Sequence, residues 1–110
     1  MKRLFISQPM RDRSTTEIMQ ERFRAAQEAE ELLGESVEVI ASFMLNGPAH
    51  KTPLWYLGKS LEMMADADIV FFVPGWEEAR GCRIEHEAAI QYGISRIEKR
   101  GSVTLLKDFA

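Results

Sequence analysis

The sequence predicts an α/β protein, a parallel sheet covered by helices on both faces. Three observations carry that expectation. Short apolar runs alternate with segments of helical periodicity in the order β-α-β-α-β-α-β, and such alternation favours parallel strands joined by helical crossovers. The run Asp68-Ile69-Val70-Phe71-Phe72-Val73 is apolar without a break, as a central strand covered on both faces requires. The helical segments also carry their own start and stop signals: a capping box, a proline and two closing glycines.

Taken in order, Leu4-Phe5-Ile6 forms the first strand within residues 2–7, and Ser7-Gln8-Pro9 ends it. Pro9 has no amide proton and disfavours helical backbone at Gln8. Ser14-Thr15-Thr16-Glu17 has the capping-box pattern. The helix it opens carries Ile18, Met19, Phe23, Ala26, Ala29, Leu32 and Leu33 on its apolar stripe before Gly34 stops it. Residues 37–40 read as a second strand. Residues 41–53 read as irregular, with Asn46-Gly47-Pro48 the strongest turn signal. Pro53 suits the first turn of a second helix, which runs to about Ala65 with Trp55, Leu57, Leu61 and Met64 inward. After the central strand, Pro74-Gly75 and a polar loop from Trp76 to Arg80 lead into a third helix from about Gly81 to Tyr92, closed by Gly93. Residues 94–97 form a further strand, and the charged turn Glu98-Lys99-Arg100-Gly101 joins it to a last one at 103–106.

The chain's 110 residues leave room for one domain, 1–110, with a thin core. Self-association into a homodimer or higher homo-oligomer is the expected supplement, with the helix at 53–65 as its interface. A net charge of −3 and a pI of about 5.4 give no electrostatic reason to bind a nucleic-acid polymer. A small anionic ligand is compatible with that charge, because a local cluster of arginines can oppose the net sign. Cys82 is the single cysteine and cannot form an internal disulfide, which fits a reducing compartment. Only three apolar residues follow Lys2-Arg3, short of the roughly 7–15 of a signal peptide and the roughly 20 of a membrane span. A cytoplasmic protein with no membrane association is expected.

Open α/β sheets bind ligands beyond the carboxyl ends of their strands, near the topological switch. Three loops qualify here: 7–13, 41–53 and 74–81. Most of the chemistry lies in residues 75–87. Glu85 and Glu87 cannot both face a crevice, because helical residues two apart diverge. Two readings of these acids are open: they complement the helix dipole, or one is a buried carboxylate able to act as nucleophile or base. Gly81, four residues before Glu85, lets a ligand approach the backbone closely. Trp76 reads equally as a base-stacking platform or as a lid over the core. Arg11 and Arg13 follow the first strand, placed to oppose a phosphate. Cys82 reads as a structural thiol and His86 as a surface or core histidine. No metal-ligand spacing, Walker-type loop or dinucleotide fingerprint is present, and no cofactor is expected.

Phe5-Ile6-Ser7-Gln8-Pro9-Met10-Arg11 resembles the strand–Ser/Ala–Gly–Pro–Met opening of nucleoside 2-deoxyribosyltransferase-like proteins. Ala67–Val73, followed by Gly81-Cys82-Arg83-Ile84-Glu85 and Ala89, resembles their second signature of strand, loop, small residue, glutamate and helical alanine. Most similar is a branch of short bacterial and phage proteins, related to 2′-deoxynucleoside 5′-phosphate N-hydrolases, in which a Gly-Trp-Glu loop precedes the glycine and glutamate. The resemblance spans nearly the whole chain. It implies a flavodoxin-like Rossmannoid fold, a three-layer α/β/α sandwich with a parallel sheet of four or five strands. It also implies cleavage or transfer at the N-glycosidic bond of a 2′-deoxynucleoside or its 5′-monophosphate. The nucleophile it points to is Glu85, since Ala89 and Gly93 then both fall in register. Ser7, Gln8, Met10 and Arg11 line the sugar or phosphate side, with Gly81 admitting the ligand and Tyr56 or Trp76 near the base.

Two positions depart from that pattern. Roughly 25 residues before Glu85, where the resembled enzymes carry an aspartate that handles the departing base, this chain has Ser60, a poor general acid. Six residues before Glu85, where monophosphate hydrolases carry a phosphate-holding serine, it has Ala79, with Arg80 or Arg11 as substitutes. The first departure motivates an alternative, a non-catalytic nucleotide-binding module on the same fold. A purely structural or partner-binding protein is the third expectation.

Overall fold

β1 (Lys2–Ser7), β2 (Val37–Val39), β3 (Ile69–Phe72), β4 (Ser95–Arg100) and β5 (Val103–Lys107) make one sheet in the order β2-β1-β3-β4-β5. The structure is a computed structural model describing residues 1–43 and 50–109. Among these residues the sheet is joined by three α-helices: α1 (Thr15–Leu33), α2 (Pro53–Met64) and α3 (Arg80–Gln91). β1 runs parallel to β2 and β3, and β3 parallel to β4, with Leu4 in register with both Val39 and Ile69. This is the flavodoxin-like strand order, and its order reverses between β1 and β3.

β5 departs from the expected parallel sheet. It pairs antiparallel to β4, with Arg100 opposite Val103 and only Gly101-Ser102 between them. A two-residue connection can join antiparallel neighbours only, because a parallel return needs a crossover of a dozen or more residues. Gly101 supplies the positive φ of 60° that this tight turn uses. Glu98, Lys99 and Arg100 therefore belong to β4 and not to a turn.

Alternation along β1 and β3 divides the core. Leu4, Ile6, Ile69, Phe71 and Val73 meet Ala25 and Ala29 of α1 on one face. Phe5, Val70 and Phe72 meet Met64, Cys82 and Ala89 of α2 and α3 on the other. The result is a three-layer α/β/α sandwich. The expected capping box forms, with Ser14 Oγ accepting from Glu17 N at 3.1 Å, and Thr52 Oγ1 caps α2 as well, accepting from Trp55 N at 3.2 Å.

α1 buries the expected stripe only in part. Ile18, Arg22, Ala25 and Ala29 face the sheet, whereas Met19 and Leu32 are exposed and Phe23 is 65% exposed. Alanines at these positions let the helix lie close to the strands, and Arg22 is accepted because hydrogen-bond acceptors meet it. On α2 only Met64 is buried, while Trp55, Leu57 and Leu61 are half-buried. The turn expected at Asn46-Gly47-Pro48 lies outside the described residues. No helix among the described residues is long and apolar enough to cross a membrane.

Candidate functional site

From the switch point, β1 leads to α1 on one face and β3 leads to α3 on the other, so a crevice opens at their carboxyl ends. A cleft of about 780 Å³ lies there. Gln8, Met10, Arg11 and Arg13 line it from the β1 loop, Leu57 and Ser60 from α2, and Arg80, Gly81, Cys82 and Glu85 from α3.

Glu85 sits in the second turn of α3, on the helix face turned toward the sheet, and is 7% exposed. Ser7 Oγ donates to its Oε1 at 2.6 Å, and the Ser60 side chain is near enough to favour its ionised form. Burial pushes the carboxyl up to about 7, against the pull of these two hydroxyls, which favour the ionised form. Glu87, two residues on, is exposed and accepts from Gln91 Nε2 at 2.9 Å. Of the two carboxylates, Glu85 alone lines the cleft. One turn earlier, Cys82 is buried, and burial pushes its thiol up to about 11, so it is neutral at ordinary pH.

Gln8 is locked in place. Its Nε2 donates to Ile18 O at 3.3 Å and to Glu21 Oε1 at 3.0 Å, and its Oε1 accepts from Arg22 at 3.0 Å. Arg13 pairs with Glu21 at 2.7 Å, and Arg83 donates to Glu77 O at 3.0 Å. Arg11 and Arg80 have no hydrogen bond or ion pair to a described residue. The cleft thus gathers four arginines against Asp12, Glu78 and the half-neutral Glu85, in a chain whose net charge is −3. A Cβ at Gly81 would meet no protein atom within 4 Å, so what the glycine leaves open is the cleft itself.

Trp76 lies elsewhere. It is 3% exposed and does not line the cleft. Its Nε1 donates to Lys99 O at 3.0 Å, and its ring packs 4.3 Å from His86 and 5.2 Å from Phe72, between centroids. A large ring with its N–H satisfied gains most by burial, so Trp76 is a lid over the core and not a stacking platform. The segment expected as a polar loop is a short 3₁₀ turn, Trp76–Glu78, anchored by that ring. Tyr56 is half-buried on α2, its neighbour Trp55 edge-on to it at 5.1 Å, and it too is absent from the cleft lining. Two residues of the site were not evident in the sequence, Arg22 and Ser42. The signal for Arg22 is its spacing, four residues after Ile18 and three and seven before Ala25 and Ala29. Among the described residues no three His, Cys, Asp or Glu side chains gather to hold a metal ion.

A strand order of 2-1-3-4-5 with a cleft at its switch point defines a flavodoxin-like α/β protein with a buried carboxylate beside that cleft. Residues 2–106 match the family described as domain of unknown function (DUF4406), and the chain belongs to that family. No curated protein and no solved structure matches the chain.

Proposed function

We propose that this protein breaks the N-glycosidic bond of a 2′-deoxynucleoside or its 5′-monophosphate, using Glu85 as the nucleophile. The observation that carries this proposal is the setting of Glu85, buried at the β1/β3 switch point with Ser7 hydrogen-bonded to it and Ser60 close by. Its carboxylate attacks the anomeric carbon as the bond to the base breaks. The base departs with the bonding electron pair and takes up a proton from water. A deoxyribosyl ester of Glu85 results. Water or a second base then attacks the same carbon and releases its proton to solvent, and the ester's C–O bonding pair returns to the carboxylate. Charge developing on the sugar in an oxocarbenium-like transition state is stabilised by the adjacent carboxylate, as in retaining glycosidases. Ser7 and Ser60 hold the carboxylate in position, and Arg11 and Arg80, without a partner among the described residues, favour a 5′-phosphate.

Ser60 supports a second reading. A serine in place of the aspartate of the resembled enzymes leaves the departing base without a strong acid, which suits a non-catalytic nucleotide-binding module. In both readings the ligand is a small nucleoside or nucleotide and not a polymer. A cytoplasmic location is supported by the single cysteine, Cys82, and pairing as a homodimer or higher homo-oligomer through α2 is supported by the exposed Leu54 and half-buried Trp55.

The deciding experiment is chromatographic assay of free base released from a panel of 2′-deoxynucleosides and their 5′-monophosphates, with wild type and Glu85→Ala. Release that vanishes in the variant is the expected result. Release unchanged by the substitution rejects Glu85 as nucleophile, and nucleotide binding without release favours the binding module.

A further inference from the structure

Arg22 is 6% exposed, yet no carboxylate of a described residue forms an ion pair with it. Buried charges are ordinarily paired with an opposite charge. Arg22 instead donates to Gln8 Oε1 at 3.0 Å, to Ile40 O at 3.0 Å and to Ser42 Oγ at 3.2 Å. The nearest acid in this chain of bonds is Glu21. It is reached only through Gln8 and is already held by Arg13. A guanidinium charge therefore stands uncancelled just behind the cleft floor.

Ser42, which lines the cleft and is 5% exposed, receives that charge. Its Oγ accepts from Arg22, and its backbone N–H bonds Ile40 O at 2.8 Å. No described residue takes its hydroxyl proton. A hydroxyl with a cation on one lone pair is a strengthened donor, and the same cation repels any further donor brought to that oxygen. Ser42 follows β2, on the opposite side of β1 from β3. Apolar lining comes from Phe5 of β1 and from Pro53 and Leu57 of α2, and also from Pro9, Met10 and Ala79 beside Arg11 and Arg80 on the β1 and β3 loops. The cleft so offers a ligand cations, apolar contact and, from Ser42, a polarised hydroxyl.

We propose that Ser42, polarised by Arg22, selects the base of the nucleotide by donating to a ring oxo group and disfavouring an amino group at the same place. This rests on the nucleotide reading given above. Two ligand pairs differ in this feature: deoxyuridine against deoxycytidine monophosphate, and deoxyinosine against deoxyadenosine monophosphate.

The test is calorimetric titration of these four nucleotides into wild type, Ser42→Ala and Ser42→Thr, with base release from the same nucleotides assayed alongside. In wild type the oxo member of at least one pair should bind about tenfold more tightly or better. Ser42→Ala should bring that ratio to within about twofold, and Ser42→Thr should keep it. Equal binding of both members in wild type, which needs no variant to establish, overturns the inference; so does a preference that survives Ser42→Ala. Base release without a Ser42-dependent preference rejects this inference alone. A Ser42-dependent preference without base release supports it and rejects the catalytic reading. Failure of all four nucleotides to bind rejects both.

Discussion

The Ser7 hydroxyl donates a 2.6 Å hydrogen bond to Glu85 Oε1 across 78 residues of sequence. It ties the last residue of β1 to the second turn of α3, two elements whose chain paths diverge at the switch point. The bond also opposes burial in setting the charge of Glu85, since a hydroxyl donor favours the carboxylate over the acid.

With Glu85 at about 7, base release should rise as pH increases through neutrality and level off above it. Ser7→Ala removes a donor to the charged form, so the acid limb should move to higher pH. The variant should lose most activity below neutrality and recover toward wild type in alkaline buffer. Rate constants measured across pH check this, and an acid limb that stays in place counts against the role of Ser7.

Glu85 should also cost the fold stability at alkaline pH. Its folded value is raised from 4.5 to about 7, so between these values the native state keeps a proton that the unfolded chain has released. Stability therefore falls as pH rises through that window. Glu85→Gln should be more stable than wild type above the window, by at most about 3 kcal/mol, and close to it below. Urea unfolding at two pH values reads the gap, and a gap independent of pH would contradict the assignment.

Arg11 and Arg80, without partners among the described residues, should discriminate phosphorylated from unphosphorylated ligand. Arg11→Ala or Arg80→Ala should weaken binding of a 5′-monophosphate by about tenfold each, with little change for the nucleoside. The loss should shrink at high ionic strength, where charge attraction is screened. Paired titrations of nucleoside and nucleotide measure both effects; an equal loss for both ligands would argue against a phosphate contact.

Away from the cleft, Glu98 of β4 is buried among His86 at 2.8 Å, Arg96 at 3.1 Å and Arg100 at 3.1 Å. Burial is the largest influence and pushes its carboxyl up, but the bonds from His86, Arg96 and Arg100 together outweigh it and hold the carboxyl below its ordinary value. The stabilisation is complete above 4.5 and is lost as pH falls through the lower folded value. Glu98→Gln should destabilise by about 2–3 kcal/mol near neutrality, because Arg96 and Arg100 lose the buried negative charge that pairs them and one acceptor oxygen becomes an amide donor, and by less in acid. Thermal melts across acid pH would show the two proteins converging.

Much of this organisation is legible in the sequence because its causes are local. Ser14 and Glu17 form their capping box within one turn, Pro53 starts α2, and the apolar run around Phe71 is the central strand. Glu85 is legible through the resemblance, in whose register Ala89 and Gly93 also fall. Its partners are not. Nothing near Ser7 or Ser60 in the chain signals that their side chains meet that carboxylate.

The order of elements and the class of fold were determined by the sequence alone, since caps, breakers and periodicity act over a dozen residues or fewer, while the candidate carboxylate was singled out by the family resemblance. The tertiary structure decided which stripe α1 buries, where Trp76 goes and how the cleft is charged. Met19 and Phe23 satisfy helical periodicity as well as Arg22 and Ala25 do, and apolar content would favour them. Arg22 lies inside because Gln8, Ile40 and Ser42 bring acceptors to its guanidinium from β1 and the end of β2. Trp76 lies inside because Lys99 O, 23 residues away, meets its N–H. A buried polar group is tolerated only where its hydrogen bonds are met, and groups so distant in the chain meet only once the sheet has formed.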